Sequence, residues 1–140
     1  MANSNSKQVA GTHYKTDGLQ HWDIIAGQNI GYLEGCCTKY LIRWRKKNGL
    51  QDLQKAEHFL EKLIEMVESG QIKENKARIN NRLMEEFYET AKIHYPESLI
   101  VHTVLHWQNV GVLKSALVTL KNLILEFDCD AGPGYVNQDR

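Results

Sequence analysis

Lys39, Arg43, Arg45, Lys46 and Lys47 fall within nine residues, and no acidic residue occurs between Glu34 and Asp52. Lys39 and Arg43 are four apart, so on a helix both project from one face. Lys46 and Lys47 follow about a turn later. A guanidinium can grip phosphate bidentately and a lysine adds a mobile point charge, so this set could clamp more than one phosphate group. The same cations would also suit a helix C-terminus through the dipole alone, at ~0.3–1 kcal/mol each. Asp52 and Lys55 open the next periodic run. Asp52 suits the dipole of that helix's first turn, or it orients Lys55 or a neighbouring arginine. His13-Tyr14-Lys15 puts a titratable ring, an aromatic face and a cation in one loop, where a base could stack on Tyr14 while Lys15 meets a phosphate. A surface loop can carry those residues without any such role.

Helical spacing supplies the elements that would position these groups. Leu33, Cys36, Cys37, Tyr40, Leu41 and Trp44 predict a helix over Tyr32 to Arg45, which Asn48-Gly49 then breaks. Leu50, Leu53, Ala56, Leu60, Leu63, Ile64 and Val67 predict an amphipathic partner. A short helix is expected before them, from Leu19 to Ala26. Leu83, Met84, Phe87, Tyr88, Ala91 and Tyr95 form the apolar stripe of a third long segment, Lys73 to Tyr95, which Pro96 stops. Ser98 to Gln108 and Val110 to Phe127 complete a final pair. No strand run is evident, so the expected fold is all-α, a compact bundle of about five to six helices. The expected organisation is a flexible N-terminus over 1–10, a helical domain over 11–68, an additional hairpin region over 69–127 packed on it, and a tail over 128–140.

Two features bear on assembly. Val112, Leu113, Leu117, Val118, Leu120, Leu123, Ile124 and Leu125 cover most of the last helix's circumference. Such a helix is either central or packed against another copy, and a homo-oligomer is expected. Arg43-Trp44 is also echoed by His106-Trp107, and after a three-residue gap Ala56, Leu60, Leu63 and Ile64 are echoed by Ala116, Leu120, Leu123 and Ile124. Either the chain holds two related hairpins, with Lys39 and Arg43 corresponding to His102 and His106, or helical periodicity alone produces the match.

Composition limits the function classes. Lys plus Arg and Asp plus Glu number 17 each, so no global field draws the protein to membranes or nucleic acid, and specific DNA or RNA binding is not expected. Three cysteines, with Cys36 and Cys37 adjacent, read as core filler rather than a disulfide framework. The N-terminus lacks the apolar segment of a secretory signal, and the Val110 to Phe127 run carries Lys114, Lys121 and Asn122. A cytoplasmic protein is expected. There is no phosphate-binding GxxxxGK[ST] loop, no GxGxxG fingerprint and no HExxH. His102 and His106 are four apart but have no indicated third ligand, so no metal site is expected. Glu86 and Glu89 form an ExxE, half of the magnesium-binding pattern of all-α nucleotide pyrophosphohydrolases. Glu126, Asp128 and Asp130 lack the spacing of the other half.

Several of these groups also fall into an ordered set. GTHYK at 11–15, HWDII at 21–25 and EGCCTKYLIRWRKKNGLQDLQKAEHFLEKLIE at 34–65 resemble the bacteriophage SaV-like domain, with His13-Tyr14, Trp22-Asp23, Lys39-Tyr40 with Arg43, Lys46-Lys47, and Asp52-Leu53 with Lys55-Ala56 in order. The resemblance implies a phage protein acting in the infected host cell, helical, oligomeric and nucleotide-handling without a P-loop. A T7-type branch of that family has nucleoside monophosphate kinase activity on deoxynucleotides. It implies ATP as phosphate donor, with magnesium left open. Lys39, Arg43 and Asp52 would then be catalytic, and His13, Tyr14, Lys15, Trp22, Asp23, Tyr40, Lys46, Lys47 and Lys55 would bind the ligand. A non-catalytic nucleotide-signal binder and a magnesium-dependent pyrophosphohydrolase are the alternatives. Residues 67–140 have no counterpart in the motif set.

Overall fold

Helical periodicity resolves into six α-helices among the described residues, with no strand: α1 His21–Gly27, α2 Tyr32–Arg43, α3 Leu50–Glu68, α4 Asn81–Ala91, α5 Glu97–Leu105 and α6 Val110–Ala131. The computed structural model describes residues 18–131. The expected flexible 1–10 segment, the His13-Tyr14-Lys15 loop and the tail past 131 lie outside the described residues. The all-α bundle is as expected.

The α2–α3 hairpin is the centre of the molecule. Asn48-Gly49 turns the chain because Gly49 takes φ +54°, ψ −128°, a conformation L side chains rarely adopt. The Gly49 amide donates to the Trp44 carbonyl at 2.8 Å, which closes the turn. Cys37, Leu41 and Trp44 of this hairpin meet Leu53, Ala56, Leu60 and Leu63 in a core completed by Ile24, Phe87, Ile100, Val104, Leu113 and Leu120. Each such aliphatic side chain contributes ~1.5–3 kcal/mol on full burial. Cys37 belongs to that core, and burial raises its thiol pKa well above the usual range, with the Glu34 carboxylate adding to the effect.

α5 and α6 form a second hairpin, with α5 against α2 and α6 against α3. Two buried hydrogen bonds tie the hairpins reciprocally. Trp44 Nε1 donates to Glu97 Oε2 at 3.0 Å, and Trp107 Nε1 donates to Glu34 Oε2 at 2.9 Å. Each bond joins the C-terminal end of one helix to the first turn of the other, so α2 and α5 run antiparallel. Glu34 and Trp44 each precede their counterparts Glu97 and Trp107 by 63 positions. In the second helices, buried Leu53, Ala56, Leu60 and Leu63 match buried Leu113, Ala116, Leu120 and Leu123, each 60 positions on. The echo seen in the sequence therefore has a geometric counterpart, an approximate two-fold relation between hairpins.

Two expectations are corrected. The segment Lys73 to Tyr95 is helical only over α4. Residues 72–80 run as an irregular strap, because their polar groups are taken by distant partners instead of by the next turn. Asn75 Nδ2 donates to the Leu105 and Trp107 carbonyls at 2.9 and 3.0 Å, the Arg78 amide to the Gln28 carbonyl at 2.7 Å, and the Asn80 amide to Gln28 Oε1 at 2.6 Å. Asn80 then caps α4 through Leu83 N at 3.1 Å. α4 also stops before Pro96, at Lys92, whose φ of +58° is left-handed. Of the two alternatives open for the apolar last helix, the central position does not hold. Its Leu113, Ala116, Leu120 and Leu123 face α3 and α5, while Val118 and Leu125 remain 59% and 61% exposed. α6 also runs to Ala131 rather than ending at Phe127.

Candidate functional site

The basic corner is assembled by the α2–α3 turn. Asp52, at the third position of α3, is fully buried. Its carboxylate accepts from Arg43 Nε and from a terminal Arg43 nitrogen, both at 3.2 Å, and from the Asn48 amide at 3.2 Å. The turn and the guanidinium are thereby fixed by one side chain. Of the two readings open for Asp52 beyond its dipole, the structure shows the arginine partner.

Arg43 in turn lies over the Tyr40 ring, with Cζ 4.5 Å from its centroid. Lys55 Nζ and Lys39 Nζ stand 5.3 and 5.6 Å from the same centroid. Phe59 stacks on Tyr40 at 5.8 Å with planes 11° apart. Three cations thus gather at one aromatic ring, an arrangement in which each ring contact is worth ~0.5–1 kcal/mol at an exposed site. Such a cluster offsets part of the mutual repulsion of its cations and leaves them disposed towards an anion.

A small cleft of about 70 Å³ opens beside this cluster, lined by Gln20, His21, Lys39, Arg43, Lys46 and Phe87 among others. His21 was not singled out by spacing. Its Nε2 lies 2.9 Å from Thr38 Oγ1, which donates its own proton to the Glu34 carbonyl at 2.9 Å. Burial, and then the Lys39 charge, lower the His21 pKa from 6.5 to about 4. The ring is neutral at pH 7. The unfolded chain takes up a proton on this ring first, so stability falls as pH drops from 6.5 towards 4. The expected loss through His21 between pH 7 and pH 4.5 is about 2–3 kcal/mol. Urea unfolding of the wild type and of His21→Gln at both pH values checks this, because the variant should show a shallower decline by that amount.

The remaining residues expected at the site divide. Lys46 is exposed and lines the cleft, and Lys47 is half-buried. Trp22 is 52% exposed on α1. Asp23 accepts from the Gln20 amide at 2.9 Å, completing the α1 N-terminus, so its carboxylate has a capping use. His13, Tyr14 and Lys15 lie outside the described residues. Arg45, which has no place in the motif pattern, pairs with Glu97 at 2.7 Å and stacks on Trp44. His102 of α5 and His106, which caps its C-terminus, stack at 4.0 Å. Burial and the His106 neighbour lower the His102 pKa. Glu86 and Glu89 are exposed on α4. Among the described residues no group of three or more His, Cys, Asp or Glu could hold a metal ion. No described helix is long and apolar enough to cross a membrane.

Residues 9–61 match the family model described as Protein of unknown function (DUF3310), which covers α1, α2 and the first part of α3, and with them the whole basic corner. No curated protein and no solved structure matches the chain.

Proposed function

We propose that the protein binds nucleotides at the Lys39–Arg43–Lys55 corner and transfers a phosphoryl group to a deoxynucleoside monophosphate, without a P-loop and with ATP as donor. The observation that carries the nucleotide reading is the gathering of three cations at the Tyr40 ring beside a cleft that Lys46 also lines. Phosphoryl transfer is mostly positioning and charge neutralisation, and a pinned guanidinium with two adjacent lysines supplies both. Arg43 would be the oriented grip, with Lys39, Lys46 and Lys55 adding charge. Asp52 would act through Arg43, as a positioning residue. Magnesium would enter with the triphosphate, held by its phosphates. The reaction itself rests on the SaV-like resemblance, which implies a phage origin, a cytoplasmic setting in the infected host and an oligomer. Val118 and Leu125, seven residues apart on the open face of α6, suit the contact between copies.

Purified protein with Mg-ATP and a panel of deoxynucleoside monophosphates, with products separated by chromatography, should yield a diphosphate. Nucleotides should also raise the melting temperature. Lys39→Met and Lys55→Met should each weaken binding about tenfold, or ~1.4 kcal/mol. No nucleotide-dependent shift and no diphosphate would overturn both the ligand and the reaction.

One observation favours a second reading, a non-catalytic binder of a nucleotide signal. The carboxylate nearest the cations, Asp52, is fully buried and locked to Arg43, so it has no route to a substrate hydroxyl or proton. Tight binding of a nucleotide recovered unchanged would select that reading.

A further inference from the structure

The α2–α3 hairpin carries aromatic and cationic side chains well beyond the basic corner. On α2, Tyr32, Cys36, Lys39, Tyr40 and Arg43 follow one another at three- and four-residue spacing, and each is at least partly exposed. On α3, Lys55, Phe59, Lys62 and Met66 do the same. The two rows meet at both ends. Lys55 and Phe59 lie against Tyr40 at the corner, and Tyr32, Lys62 and Met66 line one cavity of about 910 Å³ at the far end. The strap adds Lys73 and Lys76 to that cavity. From Tyr32 to Arg43 the stripe runs ~16 Å along the helix axis.

Neither row contains a carboxylate. Of the acids beside them, Asp52 is buried under Arg43, and Glu34, in the cavity wall, is 5% exposed and bonded to Trp107. Glu65 pairs with Lys62 at 3.3 Å, but both side chains are open to water, and a surface pair of this kind is weak enough for a ligand to displace. Glu74 is an exposed acid on the strap, next to Lys73. The chain has no net charge, so the stripe is a local concentration of positive charge. Tyr40 is engaged by Phe59 and three cations, whereas Tyr32 is 77% exposed and open to a ligand. A line of cations with an open aromatic ring at its end suits a single strand, whose phosphates track the cations while a base stacks on the ring. A duplex keeps its bases inside and offers the stripe phosphates alone. A mononucleotide uses only one end of it.

We infer that the α2–α3 stripe binds single-stranded nucleic acid, with backbone phosphates at Arg43, Lys39, Lys55 and Lys62 and a base on Tyr32. Contacts of this kind tolerate any sequence, because every base has a π-face. The inference extends the nucleotide reading of the corner to a polymer and does not depend on phosphoryl transfer.

The test follows fluorescence anisotropy of a labelled oligothymidylate of about twelve nucleotides, within the ~4–16 range of single-stranded sites, at several salt concentrations. Wild-type protein should bind it about tenfold or more tighter than a duplex of the same length. Tyr32→Ala should weaken binding by at least about fivefold, the low end for a lost base–aromatic stack, while Tyr32→Phe, which keeps the ring, should stay within about twofold. Lys62→Ala should lower the slope of log affinity against log salt by about 0.7, the value for one phosphate contact on a single strand. Tyr32 and Lys62 are both exposed, so these variants should keep the wild-type melting temperature. Neither residue belongs to the Lys39–Arg43–Lys55 corner, so affinity for thymidine monophosphate should not change. Wild-type affinity in Tyr32→Ala, or displacement of the strand by dextran sulfate as readily as by unlabelled strand, would reduce the stripe to a charged patch and overturn the inference. Binding of the monophosphate without the oligonucleotide would overturn it alone. Binding of the oligonucleotide without the monophosphate would support it and count against the proposed reaction, and binding of neither would overturn both.

Discussion

Asp52→Ala should destabilise the fold by about 3–5 kcal/mol, the cost of removing one partner from a buried ion pair. The effect is large because the carboxylate is fully buried and serves two structures at once, the Arg43 guanidinium and the Asn48 amide of the α2–α3 turn. Without it, Arg43, whose side chain is only 11% exposed, loses the buried carboxylate that balances its charge. Chemical denaturation monitored by circular dichroism gives the magnitude. Asp52→Asn, which retains one acceptor and the shape, should lose less. Arg43→Met combined with Asp52→Leu should recover much of the stability, because an apolar pair of similar volume avoids the stranded charge. That double variant should still fail to bind nucleotide. A loss under 1 kcal/mol for Asp52→Ala would mean the pair does not hold the corner together.

The second large effect is expected where the hairpins join. Trp107→Ala and Trp44→Ala should each cost about 3–5 kcal/mol, since each empties a large volume in the core and removes a donor from a buried carboxylate, although Glu97 keeps its Arg45 partner when Trp44 is lost. Trp107 is 2% exposed and Trp44 3% exposed, and their partners Glu34 and Glu97 are nearly as buried. A double-mutant cycle with Trp107→Phe and Glu34→Gln isolates the hydrogen bond from the packing. Its coupling should fall near 1.5–3 kcal/mol, the range for bonds to charged groups. Coupling near zero would make the two bonds incidental to packing, and the approximate two-fold relation would then rest on the matched burial alone.

The fold class was legible because amphipathic periodicity is a local property. α2, α3, α5 and α6 lie close to where their apolar residues recur, and Asn48-Gly49 marks the turn because only an unusual backbone conformation suits it. The strap over residues 72–80 was not legible. Its residues read as helical by spacing, and only the partners at Gln28, Leu105 and Trp107, distant in sequence, draw its polar groups away from a helix.

The candidate site divides the same way. Lys39 and Arg43 share a face by their four-residue spacing, and the cluster of cations before Asp52 is plain in the chain. That Asp52 holds Arg43 and not Lys55, that Phe59 backs Tyr40, and that His21 rather than Trp22 lines the cleft are decisions of helix packing. Glu97 had no signal at all: one exposed-looking glutamate after a proline, until α5 is laid antiparallel on α2. Local spacing was enough to locate α2, α3, α5 and α6 and the collection of positive charge, because both depend on neighbours within a few residues. Which acid meets which base depends on contacts between residues tens of positions apart, and only the tertiary structure decided those.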